Sequence, residues 1–199
     1  MSATVLDMSM SLDGLIAGPN AGIGNGLGDN GDRLHGWLWG ERAADSGIPS
    51  RPSGVNGRVY DEVLATGAVV AGRGTFEPAG GWGGDHHDGV PIFILSRGPS
   101  TKQLLQFPLV TYLSDVTTAM ARAKEAAGDK NVLVHGARVA QLALGVGALD
   151  ELELHIIPVL LGQGRRLFEG LGPEHIELER TRVLEGEGGV THVHYKIRR

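Results

Sequence analysis

The chain has 199 residues, a formal net charge of −5, and 41% hydrophobic against 21% charged residues, the balance of an ordinary globular protein able to bury a core without staples. The acidic balance excludes a general nucleic-acid surface, and the lack of cysteine excludes disulfides, thiolate zinc sites and cysteine nucleophiles. The start has no basic n-region and no run approaches the ~20 apolar residues of a membrane span, so neither a signal peptide nor a spanning helix is expected, and the expected compartment is the cytoplasm.

Thr4 to Met10 reads as a first strand, followed by a glycine-rich loop over 18–31. Asp32 is placed to cap a short helix with Leu34, Trp37 and Leu38 on one face. Residues 45–56 carry Pro49 and Pro52 and read as loop. Asn56 is a second cap candidate, with Val59, Val63 and Leu64 behind it. A buried strand is expected at Ala68–Ala71, then a helical turn at Thr75–Glu77 and strands at 92–95 and 109–113. Asp115 caps a helix that Gly128 stops. A strand at 131–134, a helix at 137–144 and a long apolar strand at 152–161 follow. The chain closes with a hairpin, 176–184 and 190–197. No linker or repeat divides the chain, so a single domain over 1–199 is expected. The expected fold class is α/β: a three-layer α/β/α arrangement around a mainly parallel mixed sheet with a C-terminal antiparallel hairpin.

Such sheets bind ligands at the carboxyl ends of their strands. Three strand ends here carry matching chemistry. Gly72-Arg73-Gly74-Thr75 offers a tight turn, a guanidinium fork and a hydroxyl near a helix start. Ser96-Arg97 repeats the pair after the next strand. His135-Gly136-Ala137-Arg138 opens another helix with small residues, which lets a pyrophosphate approach the free N–H groups. Together they point to a dinucleotide with an extra phosphate, hence NADPH. No G-x-G-x-x-G, P-loop or G-x-S-x-G stands in the sequence.

The blocks SMSLDGLIAG (9–18), VVAGRGTFE (69–77), IFILSR (92–97), VLVHGARVAQ (132–141) and ALDELELHIIPVLLGQGRRLF (148–168) resemble the dihydrofolate reductase superfamily. The closer branch is the reductase domain of the riboflavin-biosynthesis deaminase-reductase, with its stand-alone relatives. The resemblance implies NADPH as cofactor. It implies that Arg73 and Thr75 meet the adenosine phosphates and that Ser96 and Arg97 hold the 2′-phosphate end. Gly136, Ala137, Arg138 and Val139 would line the pyrophosphate, and Ser9, Ile16 and Ala17 would border the nicotinamide. The family usually has Gly-Gly at the turn where His135 stands, often with a cis bond between them, and His135 could project toward the phosphates.

On the substrate side, the helix RLHGWLWGERAAD (33–45) offers Glu41 and Asp45 late, and no pterin-binding carboxylate can be assigned, which argues against folate. Asp13 is either a turn-forming Asp-Gly or a substrate contact and proton donor. His155 is either a core histidine or, as the resemblance implies, a catalytic side chain facing the cavity. Trp37 and Trp82 are either aromatic walls for a planar ring or packing. Adjacent histidines rarely share one ion, so Asp85-His86-His87-Asp88 is expected to be a loop lining the active site rather than a metal site. The function expected is an NADPH-dependent reductase of a small heterocycle or ribosylamino-pyrimidine. The competing readings are a non-catalytic nucleotide-binding module of the same fold and, more remotely, a metal-dependent hydrolase. A homodimer is the expected assembly, with the strand at 152–161 a candidate for its interface.

Overall fold

The structure is a computed structural model, and it describes residues 2–39, 51–98 and 106–198. Its strands in chain order are β1 (Thr4–Ser11), β2 (Leu15–Ala17), β3 (Ala68–Gly72), β4 (Ile92–Leu95), β5 (Val110–Leu113), β6 (Val132–His135), β7 (Glu151–Ile157), β8 (Arg165–Arg166), β9 (Leu178–Glu185) and β10 (Thr191–Ile197). The α-helices are α1 (Gly54–Leu64), α2 (Arg73–Phe76), α3 (Val116–Ala127) and α4 (Ala137–Gly145).

Eight strands form one sheet in the order β5-β4-β3-β6-β1-β7-β10-β9. From β5 to β7 every pairing is parallel, and β10 joins β7 and β9 antiparallel as the closing hairpin. The central strands are buried on both sides, so β3, β4 and β6 read as unbroken apolar runs. One face packs Leu6, Met8, Val70, Val134, Leu152 and Leu154 against the apolar stripes of α3 and α4. On the other face Val69, Ala71, Ile92 and Ile94 meet Phe76 of α2. A third cluster joins Val59 of α1 to Leu34, Trp37, Ile157 and Val190. Among the described residues no helix is long and apolar enough to cross a membrane.

Several boundaries differ from expectation for local physical reasons. Asp115 does cap α3, accepting from the Thr118 amide at 2.7 Å. Asp32 caps nothing: a short 3-10 turn spans Gly31–His35 after Asn30, whose φ is +60°. The expected helix over 33–45 runs into residues outside the described ones, where Glu41 and Asp45 also fall. Asn56 lies inside the first turn of α1, after Ser53, and its side chain is buried and spent elsewhere. β7 stops at Ile157 because Pro158 cannot donate to the ladder. It pairs with β1 and β10 on its two edges, so its backbone is satisfied within the chain. The unexpected pair β2–β8 is antiparallel and bends the 162–167 segment back over the start of the chain. Gly164 (φ +144°) permits this, since a Cβ there would stand 2.0 Å from the Ala17 carbonyl oxygen.

Candidate active site

β1, β3, β4 and β6 run parallel, so their carboxyl ends open on one rim. Two recesses lie along it. A groove of ≈ 710 Å³ is lined by Gly72, Arg73, Ser96, Arg97, Arg138 and Val139, with the Asp115 cap of α3 at its wall. A cavity of ≈ 410 Å³ lies beside it. Gly74, at the turn that opens α2, lines both recesses.

The groove is cationic by construction. Arg73 and Arg97 are exposed at the ends of β3 and β4, and Arg138 stands on the first turn of α4. No ion pair among the described residues involves any of the three. Free guanidiniums converging on one concave surface suit a polyanion. The Ser96 hydroxyl donates to the Gly98 carbonyl at 2.8 Å, which shapes the turn that presents Arg97. Gly136 and Ala137 line neither recess. They lie at the start of α4, with Gly136 against Thr75. The 135–136 peptide is trans, as are all those of the described residues.

The cavity is different in character. Ser9, Ile16, Ala17 and Thr75 line it, together with Trp37 and Trp82. Trp37 donates from Nε1 to the Ser9 hydroxyl at 2.8 Å, and Trp82 meets Phe76 and His86 edge-on at 5.3 and 4.6 Å. Three imidazoles also face in: His35, His86 and His135. Burial pushes His35 down to about 4 and His86 to about 3, with repulsion from His135 adding to both. Burial also lowers His135, against the pull of Asp7. At neutral pH these rings are therefore uncharged. His135 gives its Nδ1 proton to the Asp7 carbonyl at 2.8 Å, which turns a bare Nε2 outward.

At the floor lies Asp7, a carboxylate in the middle of a central strand and only 9% exposed. Burial works to raise its carboxyl, but the charge and hydrogen bond of His155 outweigh it. With His135 and His86 nearby, the group stays below the ordinary carboxylate range. Asp7 interrupts the apolar residues of β1 and is not among the candidates that the sequence singles out. The available signal was its period-2 partnership with Ser9 and Ser11, a polar face on an interior strand. Arg165, which donates to the Gly74 carbonyl at 3.0 Å and also lines the cavity, was visible only as part of a motif.

The two residues expected to be catalytic are placed otherwise. Asp13 does not line the cavity. Its carboxylate accepts from the Ser11 hydroxyl (2.6 Å) and the Gly162 and Leu161 amides (2.7 and 3.1 Å), and these bonds hold it down to about 2. It ties the β1–β2 turn to the segment after β7, the turn-forming alternative. His155 is fully buried behind the cavity wall and meets Asp7 Oδ2 through Nε2 at 3.2 Å. The 85–88 segment divides: His86 faces the cavity, while His87 turns to Thr66. Among the described residues no group of three or more His, Cys, Asp or Glu could hold a metal ion.

A family model of the RibD C-terminal domain matches residues 3–191. A search of curated proteins finds no match. Among solved structures, the chain is similar to a putative riboflavin biosynthesis protein from Shewanella sp. PV-4, with a TM-score of 0.72, 21% identity and 99% of each chain covered. It is similar to a pyrimidine reductase-like protein from Corynebacterium diphtheriae, with a TM-score of 0.62, 15% identity, and 100% of this chain and 92% of that one covered. It is also similar to Acinetobacter baumannii RibD, at TM-score 0.63 and 17% identity, where all of this chain covers 59% of the other. What is shared at these identities is the fold.

Proposed function

The chain belongs to the RibD C-terminal domain family, and from that premise we propose that it is a reductase that passes a hydride from NADPH to a small planar heterocycle of the pyrimidine or pterin-like class. The observation that carries this reading is the meeting of the two recesses at Gly74: a groove with three guanidiniums that make no ion pair among the described residues opens beside an aromatic, imidazole-lined cavity. The groove fits a phosphorylated dinucleotide. Arg73 would hold the adenosine phosphates, Arg97 the 2′-phosphate, and Arg138 and Val139 on the first turn of α4 the pyrophosphate, with Thr75 on the cavity side of Gly74. Ser9, Ile16 and Ala17 would border the nicotinamide, which when bound supplies the hydride. Trp37 and Trp82 offer stacking faces to a flat ring. The uncharged imidazoles give it hydrogen-bond partners without a competing charge. The C. diphtheriae protein is described as pyrimidine reductase-like, which agrees with that substrate class. Assembly as a homodimer in the cytoplasm belongs to the same proposal; light scattering reads the first part of it.

The test is titration with NADPH and NADH, followed by fluorescence. A charged hydrogen-bonding pair at the 2′-phosphate is worth about 1.5–3 kcal/mol, roughly 10- to 100-fold in affinity. Arg97→Ala should therefore weaken NADPH by that factor and leave NADH unchanged. Equal loss for both cofactors would remove the assignment. NADPH oxidation across a panel of pterins, pyrimidines and flavin precursors then separates a working reductase from a nucleotide-binding module that has lost turnover.

A further inference from the structure

Behind the cavity a single line of buried side chains crosses three strands and ends on α1. Asp7 Oδ2 meets His155 Nε2 at 3.2 Å, His155 Nδ1 meets His192 Nδ1 at 2.8 Å, and His192 Nε2 meets Asn56 Oδ1 at 3.0 Å. His155 and His192 are fully buried, and Asn56 is 4% exposed. Trp37 lies over both rings, at 4.4 and 4.9 Å. Of the four members only Asp7 also lines the cavity.

Hydrogen-bond counting gives this line a direction. Asn56 donates from Nδ2 to the Glu187 carbonyl at 3.1 Å, so its Oδ1 is the atom turned to His192. An amide oxygen only accepts, and His192 must therefore carry its proton on Nε2. Burial pushes His192 down to about 4, so the ring is neutral and its Nδ1 is bare. His155 must then donate from its own Nδ1. A neutral His155 with its proton there would turn a bare Nε2 against the Asp7 carboxylate, lone pair against lone pair. A second proton between Nε2 and Oδ2 removes that clash.

We propose that Asp7 and His155 share one buried proton, that Asp7 delivers it from the cavity floor to the atom being reduced, and that His192 and Asn56 are positioning residues that hold it there by fixing the tautomer of His155. This rests on the reductase reading above and names its proton source. The hydride would come from bound NADPH, which is oxidised to NADP+; it adds both its electrons to the carbon of a C=N or C=O bond, and the π pair moves to the heteroatom. The Nε2–H bond of His155 breaks as an O–H bond forms on Asp7. Rotation about Cβ–Cγ turns that O–H to the cavity, where it breaks as the substrate N–H or O–H forms. The pair is left as a carboxylate beside a neutral imidazole, and it regains its proton from water after product leaves. Facing it are His135 from β6, His86 and His35 across the cavity, Glu153 on β7, with Arg182 of β9 as its ion-pair partner, and His192 from β10. The nearby imidazoles are held neutral by burial, so none of them competes for the proton at neutral pH, and Glu153 turns its Oε2 to Arg182 at 3.1 Å.

The wild-type chain without cofactor is the first sample, read by long-range 1H–15N spectra of its histidine side chains between about pH 6 and 8. His155 should show protons on both nitrogens and His192 on Nε2 alone. Asp7→Asn should leave His155 a single Nδ1 proton, because the new amide can donate to the bare Nε2. His192→Phe removes the acceptor at Nδ1 and should also cost His155 its second proton. A singly protonated His155 in the wild type at neutral pH overturns the proposal without any variant. With an acceptor that turns over, Asp7→Asn should lower kcat by about 100-fold or more, the usual worth of a general acid, and leave the NADPH Kd within about twofold. A kcat within about threefold of wild type overturns the delivery step. Failure to bind NADPH, or to reduce any of the panel, with His155 doubly protonated, counts against the reductase reading and leaves the shared proton standing.

Discussion

At the scale of single residues, the rim depends on Gly136 more than on any charged group. Its backbone is at φ +94°, ψ 148°, a region that side-chain-bearing residues essentially never occupy. A Cβ there would stand 2.3 Å from the Thr75 hydroxyl. The turn after β6 and the helix after β3 thus touch through a missing side chain. Gly136→Ala should cost about 2–4 kcal/mol in urea denaturation, from backbone strain and the displaced Thr75 together, and should weaken NADPH by moving Thr75. Unchanged stability would mean that the turn relaxes freely. The glycine was legible in the sequence as a small-residue turn between strand and helix. The role of His135 beside it was not, because its partner, the Asp7 carbonyl, is 128 positions away. A separation of 148 positions from His155 likewise hid the work of Asp7, while Asp13 stood out as part of a motif and stands as a brace between loops.

At the scale of elements, α1 shows why local rules missed its start. Ser53 makes no side-chain cap bond. The first-turn amides are met instead by Glu187, from the turn between β9 and β10: Oε1 accepts from Val55 and Oε2 from Asn56, each at 3.1 Å. A cap 131 residues distant leaves no mark in a sequence window. By contrast, Asp115 and Gly128 bracket α3 within its own segment, and both ends were legible. The Asn56 amide, ahead of other backbone donors, holds the Glu187 carboxyl below its ordinary 4.5. Its contribution is therefore present above that value and fades as pH falls below it. Glu187→Ala should lower Tm by roughly 2–4 °C at pH 7, and the gap from wild type should close below about pH 4. A gap that persists in acid would assign the effect to packing instead. Because Asn56 also orients His192, the variant should loosen the far end of the buried line before it touches the cavity.

At the scale of the molecule, the alternation of strands and helices announced a mostly parallel sheet, and the apolar runs of β3, β4 and β6 marked its middle. Strand order was not legible, since β1 lies between β6 and β7 through contacts that span most of the chain. That order sets the chemistry of one face. Ser9, His155 and His192 stand in register across β1, β7 and β10, and Asp7, Glu153 and His194 form the row beside them. A buried polar face of this kind makes stability depend on pH in a calculable direction. His35, His86 and His192 are held by burial at about 4, 3 and 4 against an ordinary 6.5. Between those values the unfolded chain binds protons that the folded chain refuses, so the unfolding free energy rises with pH through that window and falls on acidification. At pH 5 each such ring withholds up to about 2 kcal/mol. Urea unfolding at pH 7 and pH 5 should therefore differ by several kcal/mol, before the lowered carboxylates begin to titrate. A flat profile over that interval would mean that water reaches these imidazoles in the folded chain, and a hydrated floor could not keep a proton for the cavity.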